Sequence, residues 1–249
     1  MTFPEYGARG RFGVLTPQAN PTVEPEFRRL MPADTELYAG RLTSSGADLR
    51  SRLVDYLERL PELVAQYDTL RLAAVAFACT GSSYLIGAGR EAELIRAASG
   101  VAGAPLETAA QAIRAALTHL NARRIFVITP YPAWLRDAGV AYWQAAGLEV
   151  IGTADVPTGQ VQDRKADAHG IYELQSADAA RVLERVDTRG ADAILLSGTG
   201  MPTLPLLRRL AGHQPPVISS NLCLAWRLHH YVAGVRPGSP LALLGSWTL

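Results

Sequence analysis

The chain has 249 residues, 48% of them apolar, with 24 basic and 23 acidic side chains. That length and apolar share suffice for a full buried core, as one large domain or two smaller ones. The near-cancellation of charge excludes a strong net field that would favour nucleic acid or an acidic membrane surface, so a small neutral or anionic ligand, held locally, is the expected partner.

The first residues, Met1-Thr2-Phe3-Pro4-Glu5, lack the basic patch and apolar run of a secretory signal, and no later apolar stretch reaches about 18 residues. A cytoplasmic protein with no membrane association is expected. The two cysteines, Cys79 and Cys223, lie far apart, and thiols in that compartment are kept reduced, so no structural disulfide is expected. His229 and His230 are adjacent while His119, His169 and His213 are scattered, which is not metal-ligand spacing; no metal is expected. Neither GxGxxG with an acidic partner nor a Walker motif occurs, and GxSxG is absent, so there is no signal for a nucleotide cofactor or a serine hydrolase.

In chain order, hydrophobic periodicity predicts a strand at 12–16, a helix at 23–30, a strand at 36–39, a helix at 47–66, a strand at 72–78 and helices at 83–98 and 108–120. The second part continues with strand 125–129, helix 135–146, strand 149–152, helix 178–186, strand 193–197, helix 202–211, strand 216–219 and helix 221–233. Apolar runs alternating with helical stretches indicate βαβ units around parallel sheets.

A weak internal repeat organises these elements. Arg11-Phe-Gly-Val-Leu-Thr-Pro17 echoes Arg124-Ile-Phe-Val-Ile-Thr-Pro130, and the strand ending in Ala78-Cys79-Thr80-Gly81 parallels the one ending in Ser197-Gly198-Thr199-Gly200. The expected architecture is α/β: two pseudo-symmetric, Rossmann-like parallel-sheet half-domains facing one cleft. The first covers residues 1–110, with 221–249 packing back on it, and the second covers 111–220. Ligands bind at the carboxyl ends of strands in open parallel sheets, so both small-residue turns should face that cleft.

Cys79 sits where a strand ends and a helix begins, close to N–H groups that stabilise a thiolate or a carboxylate, with Thr80, Ser82 and Ser83 adding hydroxyls. Free cysteine also serves as a small buried filler, and position alone leaves both roles open. Cys223 lies inside a helical run with Leu222 and Trp226 and reads as packing. Tyr131 either donates to a carboxylate or is a partly buried aromatic with a wet tip. His229 and His230 lack an acidic partner at suitable spacing and read as packing or surface residues.

Five motifs taken together resemble a known family. They are Gly13-Val-Leu-Thr-Pro17 followed by Asn20 and Glu24, Ala78-Cys-Thr80, Val127-Ile-Thr-Pro-Tyr131, Ile194-Leu-Leu-Ser-Gly-Thr199, and Val217-Ile-Ser-Ser-Asn221 with Trp226. In order and spacing they are similar to the aspartate/glutamate racemase superfamily, in the branch of arylmalonate decarboxylases and maleate isomerases. The resemblance spans almost the whole chain. It implies a cofactor-independent enzyme with Cys79 catalytic and a carboxylate site at Pro17, Gln18, Asn20, Thr80, Gly81, Tyr131, Gly198, Thr199 and Gly200. Gly81 replaces a hydroxyl residue of the family pattern, so one donor is expected to be missing.

Racemases of the superfamily use two cysteines, one from each half. Cys79 matches the first and Gly198 occupies the second position, which puts two-base racemisation in doubt. Arylmalonate decarboxylases keep one thiol, from the second half, and this chain resembles their mirror case. Maleate isomerases use the first-half cysteine as a nucleophile and carry a second one that is missing here. An unperturbed thiol, with a pKa of about 8.5, is a few per cent ionised at neutral pH and suits a proton donor. Decarboxylation of a substituted malonate through an enediolate is therefore the expected activity, with cis-trans isomerisation, or a related aspartate/glutamate/hydantoin racemase-like reaction, as the alternative. A carboxylate-binding protein that has lost catalysis is the non-enzyme alternative, and a homo-oligomer is left open. Moving the thiol, as Cys79→Ala with Gly198→Cys, is expected to reverse the product's hand.

Overall fold

Residues 5–159 and 170–245 are described by the computed structural model; His169 and the chain ends lie outside them. The first half contributes strands β1 (Gly10–Pro17), β2 (Thr35–Leu42), β3 (Ala74–Phe77) and β4 (Leu106–Thr108), all parallel, in the order β2-β1-β3-β4. The second contributes β5 (Arg124–Thr129), β6 (Glu149–Asp155), β7 (Ala193–Leu196) and β8 (Val217–Ser219), in the order β6-β5-β7-β8. The two sheets have the same topology, as the repeated sequence implied, and the echoed segments form the equivalent strands β1 and β5.

Central strands read as unbroken apolar runs because helices cover both faces. Ala74-Val-Ala-Phe77 of β3 and Ala193-Ile-Leu-Leu196 of β7 are wholly buried, whereas the edge strand β6 stays largely accessible. Phe12, Phe27, Phe77 and Trp143 are among the largest side chains sealed in the core.

The helices are α1 (Val23–Leu30), α2 (Leu49–Glu58), α3 (Leu60–Val64), α4 (Thr80–Ile86), α5 (Ala88–Ala102), α6 (Ala109–His119), α7 (Ala133–Ala145), α8 (Ser176–Leu183), α9 (Leu204–Arg209) and α10 (Ser220–His229). Two predicted helices are each divided. The stretch 47–66 breaks after Glu58, where Pro61 starts α3 because a proline without an N–H fits only a first turn. The stretch 83–98 breaks at Gly87, whose φ of 78° ends α4 and lets α5 leave at a new angle. The strand β4 has only three residues and no alternating pattern, and sequence periodicity passed over it.

Helix α10 returns from the second sheet to pack against α6, α1 and β4 of the first half. There Cys223 is completely buried, His229 is buried with Nε2 against the Leu30 carbonyl, and His230 stacks edge-on with Trp226. All three are packing residues. Among the described residues no helix is long and apolar enough to cross a membrane, and no three His, Cys, Asp or Glu side chains cluster as a metal would require.

The joint at Gly87 is open to solvent, so a methyl group there meets no neighbour and its cost is that of the backbone alone. Gly87→Ala should lower unfolding stability by about 1 kcal/mol, read as a shifted urea midpoint. An unchanged midpoint would mean that the α4–α5 joint is not held at positive φ in solution.

Candidate active site

The carboxyl ends of β1, β3, β5 and β7 converge where the two halves meet. In each sheet the strand order reverses between the two central strands, β1 and β3 or β5 and β7, which is the crevice where doubly wound folds place ligands. Cys79 follows β3, Tyr131 follows β5, the loop Ser197–Gly200 follows β7, and Pro17 ends β1.

Four hydroxyl bonds close the halves onto each other. Thr199 Oγ1 donates to the Ala78 carbonyl at 2.8 Å, immediately before Cys79. Thr80 Oγ1 and the Tyr131 hydroxyl lie 2.7 Å apart, Tyr84 and Ser197 pair at 2.8 Å, and Thr22 Oγ1 donates to the Gly200 carbonyl at 2.9 Å. Asn20 Oδ1 accepts from the Thr22 and Val23 N–H groups, fixing the turn after β1, and its Nδ2 reaches Thr199 Oγ1 at 3.4 Å. Each bond is worth about 1 kcal/mol net, but a buried hydroxyl left without its partner costs more, so the set favours one relative placement of the halves.

The resemblance named nine site positions beside the thiol, and the structure gathers seven of them around Cys79: Asn20, Thr80, Gly81, Tyr131, Gly198, Thr199 and Gly200. Pro17 contributes its carbonyl to the Asn20 N–H, and Gln18 is exposed and takes no part in these bonds. Gly198 supplies no free donor: its N–H is bonded to Ser220 Oγ at 3.0 Å and its carbonyl accepts from the Met201 N–H. The bonds that fix the loop use the Thr199 hydroxyl and carbonyl and the Gly200 carbonyl; none uses the Thr199 or Gly200 N–H. Among the described residues, those two N–H groups have no hydrogen-bond partner.

Position 198 is not a ready slot for a thiol. Its φ of 130° is one that L side chains rarely adopt, and a Cβ there would sit 3.3 Å from Pro130 Cδ. Strain of this kind costs about 1–3 kcal/mol, so a thiol placed there by Gly198→Cys would require the loop to shift.

Cys79 is 3% exposed and forms the N-terminal boundary of α4 without capping it. Burial pushes its thiol above the ordinary range, while the Ser82 hydroxyl, at 3.3 Å from Sγ, and the Ser82 and Gly81 N–H groups pull it back in part. Burial also raises Tyr56, to about 12, and Tyr172, and in both the neighbouring Cys79 adds to the shift. Cβ atoms built on Gly81 and Gly200 would meet Leu53 and Leu135, and Tyr172 and Ile171, respectively, so aliphatic and aromatic side chains pack against the backbone of both turns.

Sequence reasoning missed Tyr84, Ser197, Tyr56 and Tyr172. Tyr84 was legible in principle, being one turn after Thr80 on the same helix face. Tyr172 belongs to a short 3₁₀ turn, Ile171–Glu173, with no motif. The shallow groove bordered by Asn121, Asp192, Pro216 and Leu241 lies at the amino-terminal ends of β7 and β8, the wrong end of the sheet for this site.

Because the thiol is raised, its alkylation by iodoacetamide should follow a pH profile whose midpoint lies above the ordinary value of about 8.5. Peptide mass spectrometry at Cys79 reads that profile. A midpoint below the ordinary value would mean that the hydroxyl and N–H donors outweigh burial.

Comparison with known proteins agrees with this geometry. Two maleate isomerases are each 25% identical to the chain: that of Pseudomonas putida over 253 aligned residues, covering 95% of this chain and 98% of the relative, and that of Geobacillus stearothermophilus over 236, covering 88% and 90%. A solved maleate cis-trans isomerase of Nocardia farcinica, with a covalently bound succinylcysteine intermediate, has a TM-score of 0.78 at 20% identity, covering 96% of this chain and 99% of its own. A solved arylmalonate decarboxylase has a TM-score of 0.72 at 20% identity, covering 95% and 99%. The profile of the arylmalonate decarboxylase family matches residues 12–237, nearly the full length, and the chain belongs to that family of decarboxylases and isomerases.

Proposed function

We propose that this chain decarboxylates a substituted malonate, with Cys79 delivering the proton to the planar intermediate. The observation that carries the reading is a buried thiol whose pKa is raised by that burial, with glycine at the equivalent turn of the other half. A proton donor must be protonated when the intermediate forms, and burial secures that at neutral pH.

In this reading one carboxylate is held by the Thr199 and Gly200 N–H groups with the hydroxyls of Thr80 and Tyr131. The other faces the apolar wall of Leu53, Leu135 and Ile171, where a charged group is poorly solvated. The bond from the α-carbon to that second carboxylate breaks, carbon dioxide leaves, and the electron pair spreads into the retained carboxylate as an enediolate. Donors already aimed at its oxygens stabilise the developing charge without reorganising. The Cys79 S–H proton then passes to the α-carbon, and the thiolate regains a proton from solvent.

Cis-trans isomerisation is the second reading, favoured by the two curated relatives and by the Ser82 hydroxyl that donates to Cys79 Sγ, a contact that would stabilise a thiolate nucleophile. A prochiral disubstituted malonate and maleate, offered separately, tell the two apart. The expected result is turnover of the malonate to one enantiomer in large excess, carrying deuterium at the α-carbon in deuterated water. Maleate converted to fumarate, with the malonate untouched, would establish the isomerase instead. Cys79→Ala should reduce decarboxylation by about 10²–10⁴-fold. A racemic product, or full activity in that variant, would show that another group protonates the intermediate. Tyr131→Phe, which removes one donor, should lower kcat/KM about tenfold through the loss of a hydrogen bond to a charged group.

A further inference from the structure

We propose that Glu26, a carboxylate outside the site, is a positioning residue that sets the direction of the Gly200 N–H through Asn221. The inference rests on the reading of loop 198–200 as the carboxylate-binding element.

Glu26 lies on α1 of the first half and is buried, yet its contacts are in the second half. Its Oε1 accepts from the Thr203 and Leu204 N–H groups at 2.6 and 3.0 Å, and its Oε2 accepts from Asn221 Nδ2 at 2.7 Å. The same Asn221 nitrogen donates to the Thr199 carbonyl at 3.0 Å. One nitrogen therefore serves two acceptors, and the Asn221 Oδ1 is left buried without a partner. Turning the amide over would set its oxygen against both the Glu26 carboxylate and the Thr199 carbonyl. Glu26 Oε2 and the Thr199 carbonyl together thus select the end of the Asn221 amide that faces the loop, although burial raises the Glu26 carboxyl above its ordinary range.

The consequence passes through one peptide plane. In a trans peptide the C=O of one residue and the N–H of the next point in opposite directions. With the Thr199 carbonyl drawn toward α10 by Asn221, the Gly200 N–H is turned the other way, away from α10. Thr22 anchors the Gly200 carbonyl and the Met201 N–H closes on the Gly198 carbonyl, so the peptides on either side are fixed as well. Glu26 touches no substrate in this scheme; a glutamine in its place would present an N–H₂ group to Asn221 and leave the Thr199 carbonyl as the amide's one remaining constraint.

The test uses the thiol as a reporter of the anion site. Iodoacetate and iodoacetamide alkylate the same Cys79 thiolate, so the ratio of their rates cancels thiol ionisation and general access and reports recognition of a carboxylate beside the sulfur. In the wild type the ratio should exceed that of free cysteine under the same conditions. Glu26→Gln and Asn221→Ala should each lower it about tenfold, the worth of one hydrogen bond to a charged group, with little change in the iodoacetamide rate. A ratio unchanged in either folded variant, or both rates rising together as in a loosened structure, overturns the proposal. A wild-type ratio no higher than that of free cysteine overturns it even if neither variant folds. If the ratio falls in the variants while the wild type converts neither malonates nor maleate, the positioning role stands and the proposed reaction fails.

Discussion

The bond from the Thr199 hydroxyl to the Ala78 carbonyl ties the end of β7 in one sheet to the end of β3 in the other, and the rest of the site depends on it. The residue after Ala78 is the thiol, and the residue after Thr199 supplies an N–H left out of the loop's bonds. A buried carbonyl requires a donor, and here the donor comes from the opposite half. Neither half carries a complete site alone. The pairs Thr80 with Tyr131 and Tyr84 with Ser197 repeat the arrangement along the same boundary, so fixing the halves and assembling the site are one event.

That economy sets the chemistry of Cys79. A thiol at the start of a helix, with N–H groups and a serine hydroxyl beside it, would ordinarily ionise easily. In this chain burial opposes those donors and prevails. A thiol whose pKa is raised in this way is a poor resting nucleophile. In the equivalent turn of the other half, Gly198 has no side chain and adopts a backbone angle that disfavours one.

Much of the fold was legible in the amino-acid order. The echo of residues 11–17 in 124–130 reports two sheets of the same topology, because a repeated strand and turn must meet the same packing demands. The strand-end turns at Cys79 and Gly198 were legible as site elements, since small residues after a buried strand permit close backbone approach. The divisions at Pro61 and Gly87 were written in residue types, although periodicity ran through them. The strand β4 was too short to carry a pattern, and it forms because β3 offers an open edge.

What the sequence determined by itself was the α/β class, the duplication, the family resemblance and the candidacy of Cys79, all of which rest on local chemistry and spacing along the chain. Tertiary structure alone decided which donors remain free, since a bond such as Gly198 N–H to Ser220 joins residues 22 positions apart. It also decided the burial that raises the thiol's pKa, with Tyr56 and Tyr172, residues of no common motif, among its neighbours. Glu26, Asn221 and Thr199 are likewise distant in sequence and meet only when α1 and α10 pack around the loop. Hydrogen-bond partnership and desolvation depend on distances in space, and spacing along the chain does not encode them.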